Sequence, residues 1–346
     1  MSDAGERAKP KLASTPANGP ATTADSEVES TTGNVVWLAS FPKSGNTWIR
    51  AIITAARGGD RLFAVGQLTS GAQPHHVGSA HYAYALDPRL LDRSELRQLR
   101  DSLVSRAVDQ GTHAATDEGP DQVGDASLEP SAPPDPTFRK THEVYRTGQP
   151  GQEPFPARAT RAAILIVRDP RSVVCSWAPF FGTELAEAAQ RIGAGKDTKS
   201  SPANSSTEQP WGTWSSHARS WLEPTLPFPV HLVRYEDLQQ DTVATLLPVL
   251  NAVGWQISEA ELAQAVHRTK FERLVAEEAD RGFRETSPKT NKFFRRGRAQ
   301  AWREELSPDL ISQVAIDHEE MMNRLGYEPS EIERRDSTAT HLSPPE

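Results

Sequence analysis

The sequence predicts an α/β fold, a central parallel sheet with helices on both faces. Three observations carry that expectation. Short apolar-rich runs recur at 35–40, 162–167 and 230–235. Stretches with apolar residues at helical spacing lie between and after them. The first two runs are apolar at nearly every position rather than at alternate ones, as in strands buried on both sides. Strands alternating with helices imply parallel pairing, because a crossover connection is needed to begin each parallel strand at the same end of the sheet. Ligands of such sheets bind beyond the carboxyl ends of the strands.

Taken in chain order, VVWLAS at 35–40 is the first buried strand. A helix follows from Asn46, with Trp48, Ile49, Ile52, Ile53 and Ala56 at helical spacing. A second helix is expected over 88–110, where Leu90, Leu91, Leu96, Leu99 and Leu103 form a stripe. AAILIV at 162–167 reads as a central strand, and a helix begins at Pro170. Proline suits the first helical position, where its missing N–H costs nothing, and Asp169 suits the cap before it. VHLVRY at 230–235 is another strand, followed by a helix over 243–253. Further helices are expected over 258–275 and 307–325.

Four segments fall outside this alternation. Residues 1–34 are rich in Ser, Thr, Ala, Pro and Gly without periodicity and read as a disordered leader. Flexible inserts are expected at 117–136 and 193–210, and a disordered tail at 329–346. The first insert carries Asp117, Glu118, Asp121, Asp125, Glu129 and Asp135 with no base. One domain over 35–328 remains. The net charge of −8 argues against a general nucleic-acid binder. The longest wholly apolar run, 162–167, is far short of the roughly 20 residues of a membrane span. The first 34 residues lack the apolar core of a secretory signal. Cys175 is the single cysteine, so an intrachain disulfide or a Cys-rich zinc site is excluded. A soluble cytoplasmic protein with no nucleic-acid or membrane partner is expected. The 29 Arg against 9 Lys, with abundant Ala and Pro, point to a GC-rich bacterial genome.

Chemistry concentrates at the strand ends. FPKSGNTW, residues 41–48, joins the first strand to its helix. Successive backbone N–H groups at a helix N-terminus form an anion cradle, and Gly45 permits a tight turn there. Lys43 adds a charge, Ser44 and Thr47 hydroxyls. The GxxxxGK[ST] signature is absent, as is an obvious strand-end Asp for Mg²⁺, and an ordinary capped strand–turn–helix remains an alternative on the residues alone. The octapeptide resembles the 5′-phosphosulfate loop of the cytosolic-type sulfotransferases, which use 3′-phosphoadenosine 5′-phosphosulfate (PAPS). That resemblance implies a single P-loop-like domain. It also implies that Lys43 contacts the oxygen bridging sulfate and phosphate. Ser44, Gly45, Asn46 and Thr47 would hold the 5′-phosphate, and Trp48 would lie against the adenine.

Three further segments extend the resemblance over most of 35–327. IVRDPRSVVCSW at 166–177 is similar to the family's 3′-phosphate motif, which gives Arg168 and Ser176 that role. Lys140-Thr141-His142 is similar to its catalytic segment, in which the His is the general base and the Lys steadies the sulfuryl oxygens. Histidine is the side chain best suited by pKa to take a hydroxyl proton near neutrality. Residues 268–303 carry a local charge of +6, and FFRRG within them resembles the segment that clasps the 3′-phosphate through Arg295, Arg296 and Gly297. Gln300 stands where that segment has a second glycine, and the family's C-terminal dimerisation signature has no counterpart after Trp302. Tyr235 resembles the strand-end Tyr that touches adenine, and Thr269 and Phe271 resemble a Thr-x-Phe pair bordering the base.

The resemblance implies sulfuryl transfer from PAPS to a hydroxyl of a small molecule (a sugar, phenol or natural-product alcohol), with adenosine 3′,5′-bisphosphate (PAP) leaving. His142, Lys43 and Lys140 are the catalytic candidates, and no metal is expected. A P-loop small-molecule kinase and a catalytically dead nucleotide-binding protein are the alternatives. His75, His76 and His81, with Tyr82 and Tyr84, lie in a stretch, 63–86, that could line the acceptor site.

Overall fold

The computed structural model describes residues 33–59, 68, 94–95, 98–99, 101–102, 135–194 except 151, and 209–327 except 224, 284 and 291. The leader up to residue 32, the tail, most of both inserts and of the 88–110 helix, and the histidine cluster at 75–81 lie outside the described residues.

The elements are β1 (Val35–Ser40), α1 (Asn46–Arg57), β2 (Thr137–Thr141), β3 (Thr160–Val167), α2 (Pro170–Phe181), α3 (Leu185–Ala194) and α4 (Trp214–Trp221). They continue with β4 (Val230–Arg234), α5 (Tyr235–Gln240), α6 (Thr242–Ala252), α7 (Glu259–Arg268), α8 (Phe271–Arg281), α9 (Trp302–Glu305) and α10 (Pro308–Arg324). The four strands form one parallel sheet in the order β2-β1-β3-β4. Helices cover both faces, as the sequence predicts.

The apolar runs are continuous because both faces of the sheet are covered. Trp37, Ala39, Leu165 and Val167 face a core built with Val173 and Trp177 of α2, Ile192 of α3, Trp214 and Trp221 of α4 and Met321 of α10. Val36, Leu38, Ile164 and Ile166 face the opposite core, with Ile49, Ile52 and Ile53 of α1, Leu246 and Leu250 of α6 and Leu262 of α7. Register then fixes where the strands end. Ala39 pairs with Thr141, Ser40 with Ile166, and Val167 with Arg234. Phe41, His142, Arg168 and Tyr235 therefore leave the sheet along one rim.

Local signals explain most helix ends. Asp169 accepts the Arg171 N–H at 2.9 Å and Pro170 opens α2. Ser258 and Glu261 form a reciprocal capping box at α7. Ser307 caps α10, with Pro308 at its first position. Two boundaries differ from expectation. The segment 258–275 is two helices, because Lys270 is extended and the Thr269 hydroxyl turns back to the Ala265 carbonyl at 2.9 Å. The last strand stops at Arg234, and Tyr235 begins α5. Among the described residues no helix is long and apolar enough to cross a membrane.

Ile164 lies at the middle of β3 with no exposed surface. Ile164→Ala should cost about 2–5 kcal/mol, because the cavity it leaves cannot collapse in a sheet covered on both sides. Equilibrium urea unfolding of the variant checks this through its midpoint.

Candidate active site

The loop after β1 is built to approach a ligand with its backbone. Lys43 is the only non-glycine residue with positive φ (71°) among those described, and Gly45 follows at φ 105°. A Cβ on Gly45 would sit 2.5 Å from Cδ2 of Tyr235, so both the turn and its packing require glycine. The first N–H groups of α1 point out of the helix with no carbonyl of their own helix to meet. Ser44 is buried beside them, and its hydroxyl has no hydrogen-bond partner among the described residues. Asn46 is turned the other way: its amide donates to the Leu38 carbonyl at 2.9 Å and to Ser40 Oγ at 3.2 Å. Its side chain moors the loop to β1, which leaves its backbone for the cradle. An orphan buried hydroxyl, a glycine turn and a free helix start fit an anionic phosphate.

Three groups from neighbouring strand ends face that cradle. His142 directly follows β2, and its Nδ1 lies 2.7 Å from the Ser40 carbonyl oxygen. A carbonyl can only accept, so Nδ1 carries the hydrogen and Nε2 the lone pair. Burial first, then the charge of Lys140, holds its pKa well below 6.5, so the ring is neutral. Lys140 Nζ lies 3.4 Å from Glu285 Oε2, and Arg50 NH1 lies 2.8 Å from Glu285 Oε1. Lys43 reaches between two aromatic rings, its Nζ 3.8 Å from the centroid of Phe180 and 4.1 Å from that of Phe293. Burial, then Arg168 and Lys140, pull its pKa down to about 7.

The nucleotide end is closed by Arg168 and the chain from Phe293 to Ala301. The Arg168 guanidinium stacks over Tyr235 at 4.4 Å and donates to the carbonyls of Lys43 (3.3 Å) and Arg298 (2.9 Å). Trp48 meets the other side of this corner, its ring 5.8 Å from Tyr235. Arg295 donates to the Cys175 carbonyl at 2.9 Å and pairs with Glu305 at 2.6 Å, and Arg296 pairs with Glu305 at 3.2 Å. Gly297 has φ 62°, and a Cβ there would strike the Phe271 ring at 2.5 Å.

A cavity of about 320 Å³ joins these groups. Lys43, Gly45, Asn46, Thr47, Trp48, Lys140, His142, Arg168, Ser176, Tyr235, Phe271, Arg295, Arg296 and Gly297 all line it. Two sequence candidates do not. Ser44 is buried in the loop itself, and Thr269 is fully buried with its hydroxyl on its own helix. Conversely, the wall includes Glu285, Gln239, Phe180, Phe181 and Trp211, which carry no motif. Arg50, behind the wall, could have been flagged as a charge on the apolar face of α1. Among the described residues no group of three or more His, Cys, Asp or Glu could hold a metal ion.

A parallel sheet whose strand ends surround a helix-borne anion cradle defines a P-loop-like nucleotide-binding α/β protein. Residues 34–326 match the family model described as Sulfotransferase domain, and the chain belongs to that family. Similar curated proteins include Sulfotransferase 2A6 of Rattus norvegicus, 27% identical over 110 residues, 32% of this chain and 37% of that protein. Sulfotransferase 1C2 of Oryctolagus cuniculus is 28% identical over 64 residues, 18% of this chain and 22% of that protein. The matched stretch thus spans well under half the length of either relative. Among solved structures, mouse sulfotransferase SULT7A1 complexed with PAP is similar at 17% identity and TM-score 0.47, covering 87% of each chain. Retinol dehydratase in complex with androsterone and PAP is similar at 17% identity and TM-score 0.48, covering 84% of this chain and 81% of that one.

Gly45→Ala should destabilise the fold by about 1–3 kcal/mol, since it combines a disfavoured φ with a clash against Tyr235. Thermal unfolding of the variant, beside Gly59→Ala where a Cβ meets nothing within 4 Å, separates the clash from the turn.

Proposed function

We propose that this protein transfers a sulfuryl group from PAPS to a hydroxyl of a small-molecule acceptor, with His142 as general base. The observation that carries the reading is the fixed ring of His142: its Nδ1–H is engaged by Ser40, and the residue lines the same cavity as the anion cradle. The N–H groups at the start of α1, with Thr47, would hold the 5′-phosphate. Arg168, Ser176, Arg295, Arg296 and the Gly297 backbone would hold the 3′-phosphate. Trp48, Tyr235 and Phe271 would border the adenine. PAPS supplies a sulfuryl group already attached to a phosphate leaving group.

His142 Nε2 takes the acceptor's hydroxyl proton as the acceptor oxygen bonds to sulfur. The bond from sulfur to the 5′-phosphate breaks, and its electron pair stays on the phosphate oxygen, where Lys43 neutralises it. Lys140 faces the remaining sulfuryl oxygens. Donors fixed before reaction in a water-poor site are commonly worth about 3–4 kcal/mol each. An anion in the cradle also favours the ammonium form of Lys43, opposing the pull of Arg168 and Lys140. Phe181 and Trp211 form the wall beside His142, with the Trp211 ring 6.5 Å from the imidazole. Such a wall suits an acceptor with a flat or apolar face. No metal enters this scheme, since lysines, arginines and backbone amides carry the charge.

His142→Ala should lower turnover by ~10²-fold or more while PAP affinity is kept. In the wild type, the base is lost only as pH falls through its depressed pKa, so the acid limb of kcat should lie below pH 6.5. Activity in the variant equal to wild type would remove the base assignment. Titration calorimetry with PAP, 5′-AMP and ATP tests the nucleotide. Arg168→Ala should weaken PAP by ~10-fold or more and leave 5′-AMP within about twofold. Equal loss for both would show that Arg168 does not read the 3′-phosphate.

A further inference from the structure

We propose that Glu285 is a positioning residue of this site: its carboxylate, braced by Arg50, seats the Lys140 side chain at the sulfuryl end of the cavity. The proposal rests on the reading of Lys140 given above. Three parts of the chain meet here. Arg50 comes from α1, one turn beyond Thr47. Lys140 comes from β2. Glu285 comes from the turn after α8. One carboxylate oxygen takes Arg50 at 2.8 Å; the other takes Lys140 at 3.4 Å and the Thr47 hydroxyl at 3.5 Å.

The turn that carries Glu285 is itself pinned. Glu278 of α8 is buried and accepts the Thr286 hydroxyl at 2.8 Å and the backbone N–H groups of Phe293 at 2.6 Å and Phe294 at 3.0 Å. A side chain can orient another only if its own backbone is held, and here the hold comes from hydrogen bonds inside the core.

Electrostatics gives the arrangement its purpose. Lys140 is buried among cations: Arg50 lies beside it, and Lys43, next to Arg168, faces it across the cavity. His142, the next residue but one, is neutral. Glu278 is the other carboxylate near Lys43. Burial disfavours the Lys140 ammonium first, Glu285 opposes that, and Arg50 adds to it, with the balance below the ordinary lysine value. Glu285 answers in kind. Burial would raise its pKa, but Lys140 and Arg50 outweigh this and hold it low, so it remains a carboxylate. Glu285 is the carboxylate that bridges Lys140 and Arg50, so removing its charge takes away a direct offset to their repulsion.

The full-length protein tests this without an acceptor. ¹³C NMR of the lysine Cε groups follows Lys140 through a pH titration, its resonance assigned by its loss in Lys140→Met. In Glu285→Gln the Lys140 midpoint should fall by about one pH unit or more. Glu285→Asp keeps the charge on a shorter arm. It should shift the midpoint in the same direction by less, and it serves where the glutamine variant does not fold. An unchanged Lys140 midpoint would overturn the proposal. If wild-type protein failed to bind PAP, the functional reading would fall, and the titration would still judge the Glu285–Lys140 pair.

Discussion

The constraint on which this structure turns is the gathering of like charges around one cavity. Arg168 and Lys140 add to burial in lowering the Lys43 pKa, and Arg50 does the same to Lys140. Such a cluster is costly to bury unless anions or aromatic faces answer it. The protein answers it in part. Glu285 meets Lys140 and Arg50, and the rings of Phe180 and Phe293 take the Lys43 ammonium between them. Arg168 directs its charge to the Tyr235 ring and two carbonyls. The offset is incomplete at Lys43, whose pKa is pulled to about 7. In the proposed reading a polyanionic ligand would complete it.

That gathering is possible because the sheet delivers four chain ends to one rim. Register, set by apolar side chains on both faces, decides which residue leaves each strand. The positions behind the rim are held as firmly. The Arg168 carbonyl receives the Trp214 indole N–H at 3.0 Å, and the Asp169 N–H goes to Glu236 Oε1 at 3.1 Å. Glu236 also accepts the Tyr327 hydroxyl at 2.8 Å, which ties the end of the described chain to the turn carrying Arg168. None of these supports touches the cavity's chemistry directly. They fix the backbone from which it projects.

The parts legible in the sequence were those that combine apolar continuity with turn chemistry. VVWLAS and AAILIV announce buried strands, and FPKSGNTW and VRDPRS announce the loops and helix starts at their ends. β2 was not legible as a strand, because TFRKT at the sheet's end carries Arg139 and Lys140 and lacks a continuous apolar run. The helix α4, WSSHARSW, is polar in composition. Its buried positions Trp214, His217, Ala218 and Trp221 show helical spacing only once its start at Thr213 is known. The break between α7 and α8 was hidden because the amphipathic stripe continues across Thr269 and Lys270. The resemblance makes Asn46 and Thr269 nucleotide contacts; their side chains bond to the protein's own backbone, and Asn46 still lines the cavity while Thr269 does not. Glu285 was invisible, since a lone glutamate in a turn has no period and its meaning comes from partners at positions 50 and 140.

Ser40 shows how little freedom the arrangement leaves. Its hydroxyl receives the Asn46 amide that moors the cradle, and its carbonyl receives the His142 Nδ1–H that sets the tautomer. One residue at the end of β1 therefore references both the anion cradle and the base. The separation between them is fixed by strand pairing, not by a flexible side chain. A ring held by a carbonyl rather than a carboxylate gains only limited stabilisation of its protonated form, and at His142 burial and the charge of Lys140 outweigh it. In the proposed reaction the charge stabilisation would then come from Lys43 and Lys140, which line the same cavity as His142. The division of labour follows from electrostatics. A carboxylate behind His142 would favour the imidazolium and take the lone pair out of use near neutrality, whereas a carboxylate beside Lys140 favours the form in which that residue can act.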